Sequence, residues 1–120
     1  MEFSLTHEWV NLENGIATIG ITNFGRMHLG EIVNIQLPDI GKVVKSGEEV
    51  GILESNKAAV DFHSPISGKI VEINDKLNQE LDSLNKSPED EGWLFKVKAD
   101  NPKELESLMS LDEYEKKLTK

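Results

Sequence analysis

The stretch ESNKAAVDFHS, residues 54–64, places one lysine between two segments that alternate like β-strands. The segment before the lysine carries Val50 and Ile52 at alternate positions, and the segment after it carries Val60 and Phe62. Alternation with a period of two is typical of strands that bury one face. We therefore expect the two segments to pair as a hairpin, with each apolar pair on one face of its strand.

The tip of this hairpin is predicted at Asn56 and Lys57. Asparagine tolerates left-handed backbone angles better than most residues, which suits a tight turn. A lysine at a tip is ordinarily a solubilising charge, and with a pKa near 10.4 it is a poor nucleophile at neutral pH. The small side chains of Ala58 and Ala59 point to another use, because they leave the ammonium group open to a modifying enzyme.

Length and composition indicate a single acidic domain and exclude several classes of partner and chemistry. The chain has 120 residues, enough for one domain, and its 13 Lys and Arg against 22 Asp and Glu give a net charge of −9. Such a surface repels nucleic acids and anionic membranes. Cysteine is absent, which excludes disulfides and thiol nucleophiles. With no apolar run long enough for a membrane span and no signal-peptide pattern at the start, we expect a cytoplasmic protein.

The rest of the chain reads as strands followed by a helix. Residues 15–21 and 31–37 are short, β-branched and bounded by Gly, Pro or Asn, which favours strands. Residues 22–30 fit one or two helical turns, capped by Thr22 or Asn23 and ending on Gly30. After Pro102 an amphipathic helix is predicted, broken near Ser110 and packed against the strands. Its apolar positions at helical spacing are Leu105, Leu108, Met109, Leu111, Tyr114 and Leu118.

An internal echo suggests two similar halves. GEIVNI begins at Gly30 and GKIVEI begins at Gly68, 68 − 30 = 38 residues later, with apolar residues at the same three places. Each copy is followed by a further predicted strand, in VKSGEEV and in KLNQEL respectively. The echo predicts two facing sheets related by an approximate twofold axis.

The stretch GILESNKAAVDFHSPISGKIVEIN resembles the lipoyl-lysine hairpin of the glycine cleavage system H protein family. The resemblance covers nearly the whole chain in the same order, through LTHEWV, ATIGIT, LGEIV, LPDIG, SGEEVGILES, EGWLFKVK and an acidic closing helix. It implies a mostly β fold, a lipoyl/biotinyl-type barrel-sandwich hybrid of two antiparallel sheets with short helices and a C-terminal helix. It also implies a single lipoyl-carrier domain at residues 1–120, with a core at 1–100 and a helical segment at 102–118.

Carried over to these positions, the resemblance implies that Lys57 bears lipoate, joined by an amide to its side-chain nitrogen. It implies that Glu8, in HEW, lies at the cleft where the loaded arm rests and hydrogen-bonds the aminomethyl group. A carboxylate in a partly dry cleft suits that task, because it forms a charge-assisted hydrogen bond with a protonated amine. The cleft keeps out the water that would hydrolyse the intermediate. The residues expected to let other proteins recognise the hairpin are Glu54, Ser55, Asn56, Ala58 and Ala59. Valine is usual in the family at the place of Asn56.

The function implied by the resemblance is that of a non-catalytic shuttle. A pyridoxal-phosphate glycine decarboxylase passes an aminomethyl group to the lipoyl arm, a folate-dependent aminomethyltransferase removes it, and dihydrolipoyl dehydrogenase reoxidises the arm. A lipoyl ligase or lipoyl transferase attaches the cofactor. No nucleic-acid or membrane partner is expected, and the chain is expected to act as a monomer.

Three alternatives come from other classes. A lipoate relay protein, which donates lipoyl groups to other complexes, would share every motif and differ only in its partners. A biotin carrier is disfavoured because methionine usually flanks the modified lysine in such domains. An enzyme is disfavoured because His7, His28 and His63 are scattered without metal-ligand spacing, and because SPISG lacks the Gly-x-Ser-x-Gly pattern of a serine nucleophile.

Overall fold

Nine strands form two antiparallel sheets in the computed structural model of the chain, which describes residues 1–118. In chain order the strands are β1 (Glu2–Phe3), β2 (Glu8–Glu13), β3 (Ile16–Ile21), β4 (Ile32–Gln36), β5 (Val43–Val44), β6 (Glu48–Ser55), β7 (Ala59–Ser64), β8 (Gly68–Ile73) and β9 (Phe95–Ala99). The larger sheet has the order β1-β2-β3-β9-β8-β5, and the smaller has the order β4-β6-β7. The predicted fold class is confirmed.

Short helices lie between the strands and after the last one. They are α1 (Asn23–Leu29), a 3-10 helix (Asp75–Asn78), α2 (Asp82–Lys86), a second 3-10 helix (Pro102–Ser107) and α3 (Leu111–Leu118). The Thr22 side chain caps α1 by accepting a hydrogen bond from the Gly25 N–H (3.1 Å), and Gly30 ends it at φ 84°. Both ends agree with the sequence-based prediction. Within residues 1–118, no helix combines the length and apolar composition needed to cross a membrane.

Phe62 and Phe95 join the two sheets across the core. Phe62 lies on β7 of the smaller sheet and Phe95 on β9 of the larger one, with ring centroids 6.0 Å apart. Both are almost fully buried, as are Ile19 and Leu53 beside them. Burial of each such side chain contributes about 1.5–3 kcal/mol. The hairpin that carries Lys57 is therefore anchored in the main core through its second strand.

A bulge at Val50 changes the face predicted for the first strand of the hairpin. Glu49 pairs with His63 and Gly51 with Phe62, so Val50 is the extra residue on β6. As a result Val50 and Leu53 are buried, whereas Ile52 is only partly buried. The prediction that Val50 and Ile52 share one face is wrong, because the inserted residue shifts the alternation by one.

The two echo segments lie in different sheets, but they are not followed by similar strands. GEIVNI forms β4 of the smaller sheet and GKIVEI forms β8 of the larger. The strand predicted in KLNQEL is wrong, since that stretch holds the first 3-10 helix and leads into α2. Leu77 of the 3-10 helix and Leu84 of α2 are buried against the core.

The C-terminal segment is divided as predicted, but only its second half is an α-helix. A backbone pair interrupts it, because Phe3 and Met109 exchange two N–H···O bonds of 2.8 Å. Beyond this break, Tyr114 of α3 is buried and its ring stacks on Phe3 with centroids 5.0 Å apart. Leu111, which the helical spacing assigned to the apolar face, is 53% exposed. The segment thus docks through the Tyr114–Phe3 contact and the strand-like pair, and Leu105 and Leu108 pack partly buried against the main core.

Gly51 is required by the hairpin's packing. A Cβ at this position would overlap the Phe62 ring and the Gln36 carbonyl oxygen. We expect Gly51→Ala to lower the free energy of unfolding by about 1–3 kcal/mol, as overpacked cores do. Urea unfolding measures this, and Glu49→Ala, an exposed change on the same strand, is the matched control. Equal stability of the two variants would contradict this account of Gly51.

Candidate functional site

The hairpin tip lies at Asn56 and Lys57, as predicted. β6 and β7 pair up to Glu54 and Ala59, and the Ser55 N–H donates to the Ala58 carbonyl (2.8 Å) to close the turn. The two residues between Ser55 and Ala58 are exposed. The hairpin therefore presents the lysine at its far end, outside the sheet.

Ser55, and not Asn56, shapes this turn. The Ser55 hydroxyl accepts hydrogen bonds from the N–H groups of Lys57 (3.3 Å) and Ala58 (3.2 Å). Within residues 1–118 the non-glycine residues with positive φ are His7 and Asn14, so the left-handed angle expected at Asn56 is wrong. A serine side chain that accepts from the following N–H groups stabilises a turn without such angles.

Lys57 is exposed and lies beside the end of α1. A Cβ added at Gly30 would lie 3.7 Å from Lys57 Cε, so the lysine stem passes over this glycine. In the described part of the chain, Lys57 takes part in none of the ion pairs. The side chain of Glu54, just before the turn, accepts a hydrogen bond from Asn34 (2.9 Å). Within residues 1–118, therefore, no ion pair masks the amine of the exposed Lys57.

A cleft of about 390 Å³ opens next to Gly30 and runs between the two sheets and α1. Its walls are mostly apolar, with polar groups from the N-terminal loop, β2 and β7. The lining residues are Leu5, Thr6, His7, Glu8, Ile21, Gly25, His28, Leu29, Leu53, Val60, Asp61, Phe62 and His63. Leu29 precedes Gly30 in the chain and Val60 follows the hairpin turn, so two of the lining residues adjoin the segments that flank the Lys57 side chain.

Glu8 is the most buried polar group of this cleft, at 1% exposure. One of its carboxylate oxygens, Oε1, accepts hydrogen bonds from the hydroxyls of Ser4 (2.6 Å) and Thr6. The other, Oε2, accepts from the backbone N–H of His63 (3.1 Å) and lies 3.1 Å from His63 Nδ1. The structure therefore places Glu8 at the cleft, where it ties β2 of the larger sheet to β7 of the smaller.

All three histidines of the chain meet at this cleft, which sequence reasoning missed. His7 follows the N-terminal loop, His28 lies on α1 and His63 on β7. The ring of Phe24 lies between the first two, 5.0 Å from His7 and 4.1 Å from His28. Within residues 1–118 no group of three His, Asp or Glu side chains is placed to hold a metal ion. The three histidines lie far apart in the sequence, so no local motif predicts that the fold brings them to one cleft.

His7 is held by a hydrogen-bond chain that leads to the C-terminal helix. His7 Nδ1 lies 2.7 Å from Tyr114 Oη, which in turn lies 2.7 Å from Thr22 Oγ1. Thr22 is fully buried, and in the described residues its hydroxyl hydrogen has Tyr114 as its one acceptor. If Thr22 donates to Tyr114, Tyr114 must donate to His7 Nδ1, and the neutral His7 ring then carries its hydrogen on Nε2.

This chain of donors disfavours a charged His7. A proton on Nδ1 would reverse the Tyr114 hydroxyl and leave the buried Thr22 hydroxyl without an acceptor. Burial lowers the pKa of His7 from 6.5, a charge on His28 lowers it further, and the Glu8 carboxylate opposes both effects. Burial raises the pKa of Tyr114, so its hydroxyl keeps its hydrogen. His7 is therefore a neutral group next to the Glu8 carboxylate.

Comparison with known proteins decides the family. The family model described as "Glycine cleavage H-protein" matches residues 1–120. The chain belongs to the glycine cleavage H-protein family. The H protein of Thermotoga maritima is 48% identical over 95% of this chain and 92% of its own length. The mitochondrial H protein of Flaveria trinervia is 48% identical over 97% of this chain and 70% of its own.

A solved structure agrees with this family. The crystal structure of a glycine cleavage system H protein from Mycobacterium marinum superposes with a TM-score of 0.91. It covers 99% of this chain and 96% of that one at 30% identity. Membership of the H-protein family, whose members are non-catalytic lipoyl carriers, confirms the predicted resemblance and the prediction of a carrier instead of an enzyme.

The depressed pKa of His7 predicts a pH dependence of stability. Between the folded pKa and 6.5 the unfolded chain is protonated at His7 while the native protein is not, so stability is lost as the pH falls below about 6.5. Above that value the His7 contribution is complete. NMR titration of the His7 ring, with the peptide LTHEW as the unfolded reference, should give a lower pKa in the protein.

The stability readout uses His7→Asn, because asparagine suits the positive φ of 71° at this position. Unfolding free energies between about pH 5.5 and 7.5, on either side of the ordinary histidine pKa, should depend less on pH in the variant. A folded pKa for His7 at or above that of the peptide would contradict the hydrogen-bond chain.

Proposed function

We propose that this chain is a lipoyl-bearing shuttle of the glycine cleavage system. It carries an aminomethyl group on Lys57 from a pyridoxal-phosphate glycine decarboxylase to a folate-dependent aminomethyltransferase, and dihydrolipoyl dehydrogenase then restores the arm. One observation carries the proposal: an exposed lysine with no ion-pair partner in residues 1–118 passes over Gly30, next to Leu29 in the wall of a mostly apolar cleft that holds a buried carboxylate. Membership of the glycine cleavage H-protein family supports it.

The cleft suits a lipoyl arm at Lys57. The arm is an apolar chain that ends in a dithiolane, and Leu5, Leu29, Leu53 and Val60 offer matching apolar walls. When bound, lipoate supplies the pair of sulfurs that accepts and releases the cargo, which the protein lacks because it has no cysteine. The amide formed at Lys57 Nζ removes one positive charge and changes the formal net charge from −9 to −10.

Glu8 gives the cleft its preference for a cationic cargo. Its charge lies almost out of solvent, where electrostatic attraction to an ammonium group is stronger than in water. His7 remains neutral beside it and does not cancel that attraction. The apolar walls exclude the water that would hydrolyse the loaded arm. We propose that these features together protect the cargo between visits to partner enzymes.

The hairpin is the part of the domain that a lipoyl ligase or lipoyl transferase would recognise. Asn56, Ala58 and Ala59 of the hairpin are exposed, and the two residues that follow Lys57 are small alanines. Ser55 fixes the turn, and the Glu54 side chain is hydrogen-bonded to β4. We propose that these residues present the lysine in one backbone conformation, within a single carrier domain that acts as a monomer.

Lipoylation at Lys57 is tested by intact mass after expression with lipoate and a lipoyl ligase. We expect one lipoyl adduct on the parent and none on Lys57→Arg. Arginine keeps the positive charge but lacks the primary amine that forms the amide. Lys45→Arg, also at an exposed turn, is the matched control and should be modified like the parent. An adduct on Lys57→Arg, or biotin in place of lipoate, would overturn the proposal.

The protecting role of Glu8 is tested with the loaded arm. Glu8→Gln removes the negative charge, and we expect the loaded arm to hydrolyse roughly ten- to hundredfold faster, as for the loss of a charge-assisted hydrogen bond. Mass spectrometry follows the release of the cargo, and a thermal melt checks the fold. Glu13→Gln, exposed at the end of the same strand, should behave like the parent. An unchanged rate in Glu8→Gln would remove the protecting role.

The shuttle is distinguished from a lipoate relay by glycine–bicarbonate exchange with the decarboxylase. The lipoylated parent should support exchange, and unlipoylated protein should not. Full lipoylation without any exchange would favour the relay.

A further inference from the structure

We propose that the outer face of the six-stranded sheet is a docking surface for an acidic segment of a partner enzyme. This surface, called the lysine face below, consists of the exposed residues Ile40, Val43, Lys69, Val71 and Lys98. Its occupant is a protein segment that carries two carboxylates next to an apolar side chain. The inference rests on the proposed function for the identity of the partner, but it concerns a part of the molecule separate from the cleft.

Two lysines lie directly opposite each other on this face. Lys69 of β8 is in register with Lys98 of β9, and both point outward, because the adjacent Ile70 and Val97 are buried in the core. Side chains in such a pair have Cβ atoms about 5 Å apart, and like charges there are destabilising. Within residues 1–118 neither amine forms an ion pair. Two positive charges are thus left open in a chain of net charge −9.

The other lysines of this region do have partners. Lys96 of β9 lies 3.5 Å from a carboxylate oxygen of Glu72, and Lys42, just before β5, lies 3.5 Å from one of Glu48. Both carboxylates are therefore already used inside the protein. The opposed pair of the lysine face is the part that a carboxylate from another molecule can neutralise.

Apolar side chains border the two lysines along the free edge of the sheet. Val43 lies on the edge strand β5, opposite Lys69, and is 67% exposed. Ile40, which precedes β5, is 62% exposed, and Val71, the extra residue at a bulge in β8, is exposed too. Positive charge beside an apolar border is complementary to a segment with negative charge beside an apolar side chain.

Protection of the sheet edge does not account for this arrangement. Charged side chains near an edge strand prevent other chains from pairing with it, and Lys42 and Lys45, which flank β5, suit that task. Lys69 and Lys98 lie instead on β8 and β9, which have a neighbouring strand on both sides. The opposed lysines and the exposed Val43 are both unfavourable in the free protein. Both become favourable against an acidic, partly apolar partner.

The overall charge favours a protein partner over a nucleic acid or a membrane. Tight nucleic-acid binding uses many phosphate contacts, whereas the lysine face offers two open amines. A broad anionic surface would also meet the repulsion of the other carboxylates, which give the chain its net charge of −9. A protein segment covers only the lysine face, and salt screens charges that lie more than about 8–10 Å away.

The lysine face is remote from the tip of the hairpin. The second strand of the hairpin leads away from Lys57 and ends at Ser64, and its six residues span roughly 20 Å. Strand β8, which carries Lys69 next to its first residue, begins beyond that end at Gly68. A partner bound there leaves Lys57 uncovered. One enzyme can thus hold the carrier while the lipoyl arm stays free to enter an active site.

A carbodiimide cross-link tests the chemistry of the partner directly. The reagent activates a carboxylate, a lysine amine in contact with it forms an amide, and the carbodiimide takes up the released oxygen as a urea. The purified decarboxylase, aminomethyltransferase and dihydrolipoyl dehydrogenase are each mixed with the lipoylated protein, and mass spectrometry identifies the joined peptides. We expect Lys69 or Lys98 joined to an Asp or Glu of one of these enzymes. No such link with any of the three would overturn the proposal.

A charge reversal separates binding from folding. Lys98→Glu places opposite charges across β8 and β9, so the thermal midpoint of the free protein should rise. The dissociation constant for the cross-linked enzyme should nevertheless increase roughly tenfold, and less at high salt. Lys76→Glu, exposed on the first 3-10 helix, makes the same change in net charge and should bind like the parent. Equal weakening by both variants would overturn the proposal, and a lower midpoint in Lys98→Glu would contradict the account of the opposed lysines.

Two further measurements complete the test. Val43→Ser should weaken binding several-fold without a change in charge, as expected for an apolar border, and parent-like binding would contradict that part of the surface. Vesicles of equal parts phosphatidylcholine and phosphatidylserine should not bind the parent, and binding that Lys98→Glu abolishes would assign the face to a membrane instead. All variants should be lipoylated like the parent. Failure of lipoylation in the parent itself would count against the proposed function and not against the lysine face.

Discussion

A carboxylate taken out of water has to be surrounded by hydrogen-bond donors, and the arrangement of this protein around its cleft follows from that requirement at Glu8. The donors come from the N-terminal loop and from the backbone and ring of His63. They join β2, the second strand of the six-stranded sheet, to the hairpin strand β7 of the three-stranded sheet. One buried carboxylate thus adds a directional, hydrogen-bonded link between the two sheets beside the cleft, next to the apolar contacts of the core.

A second polar network extends this control to the far end of the chain. Tyr114 packs on Phe3 and lies within hydrogen-bond distance of both His7 and Thr22, the cap of α1. The C-terminal helix is therefore connected to one wall of the cleft through a single phenol. The same network disfavours a charge on His7 beside the buried Glu8 carboxylate.

The sequence was sufficient for the features that depend on local pattern. Alternation located the hairpin and its tip, turn residues located β3, β4 and α1, and the family resemblance pointed to Glu8. It was insufficient where partners lie far apart in the chain: His63 is 55 residues from Glu8, and Tyr114 is 107 residues from His7. Short patterns also misled. The Val50 bulge reversed the expected alternation, and KLNQEL satisfied a strand pattern although Leu77 is buried by a helical turn.

The position of Lys57 over Gly30 determines how tightly the cleft has to hold a cargo. An arm attached at the mouth of its own binding site makes binding intramolecular, and a short flexible tether gives an effective concentration in the millimolar range. A site with only about millimolar intrinsic affinity would then be occupied roughly half of the time. Weak binding of this kind also permits rapid release to a partner enzyme. On the proposed function, the hairpin's location supplies by geometry what a free ligand would have to gain from stronger contacts.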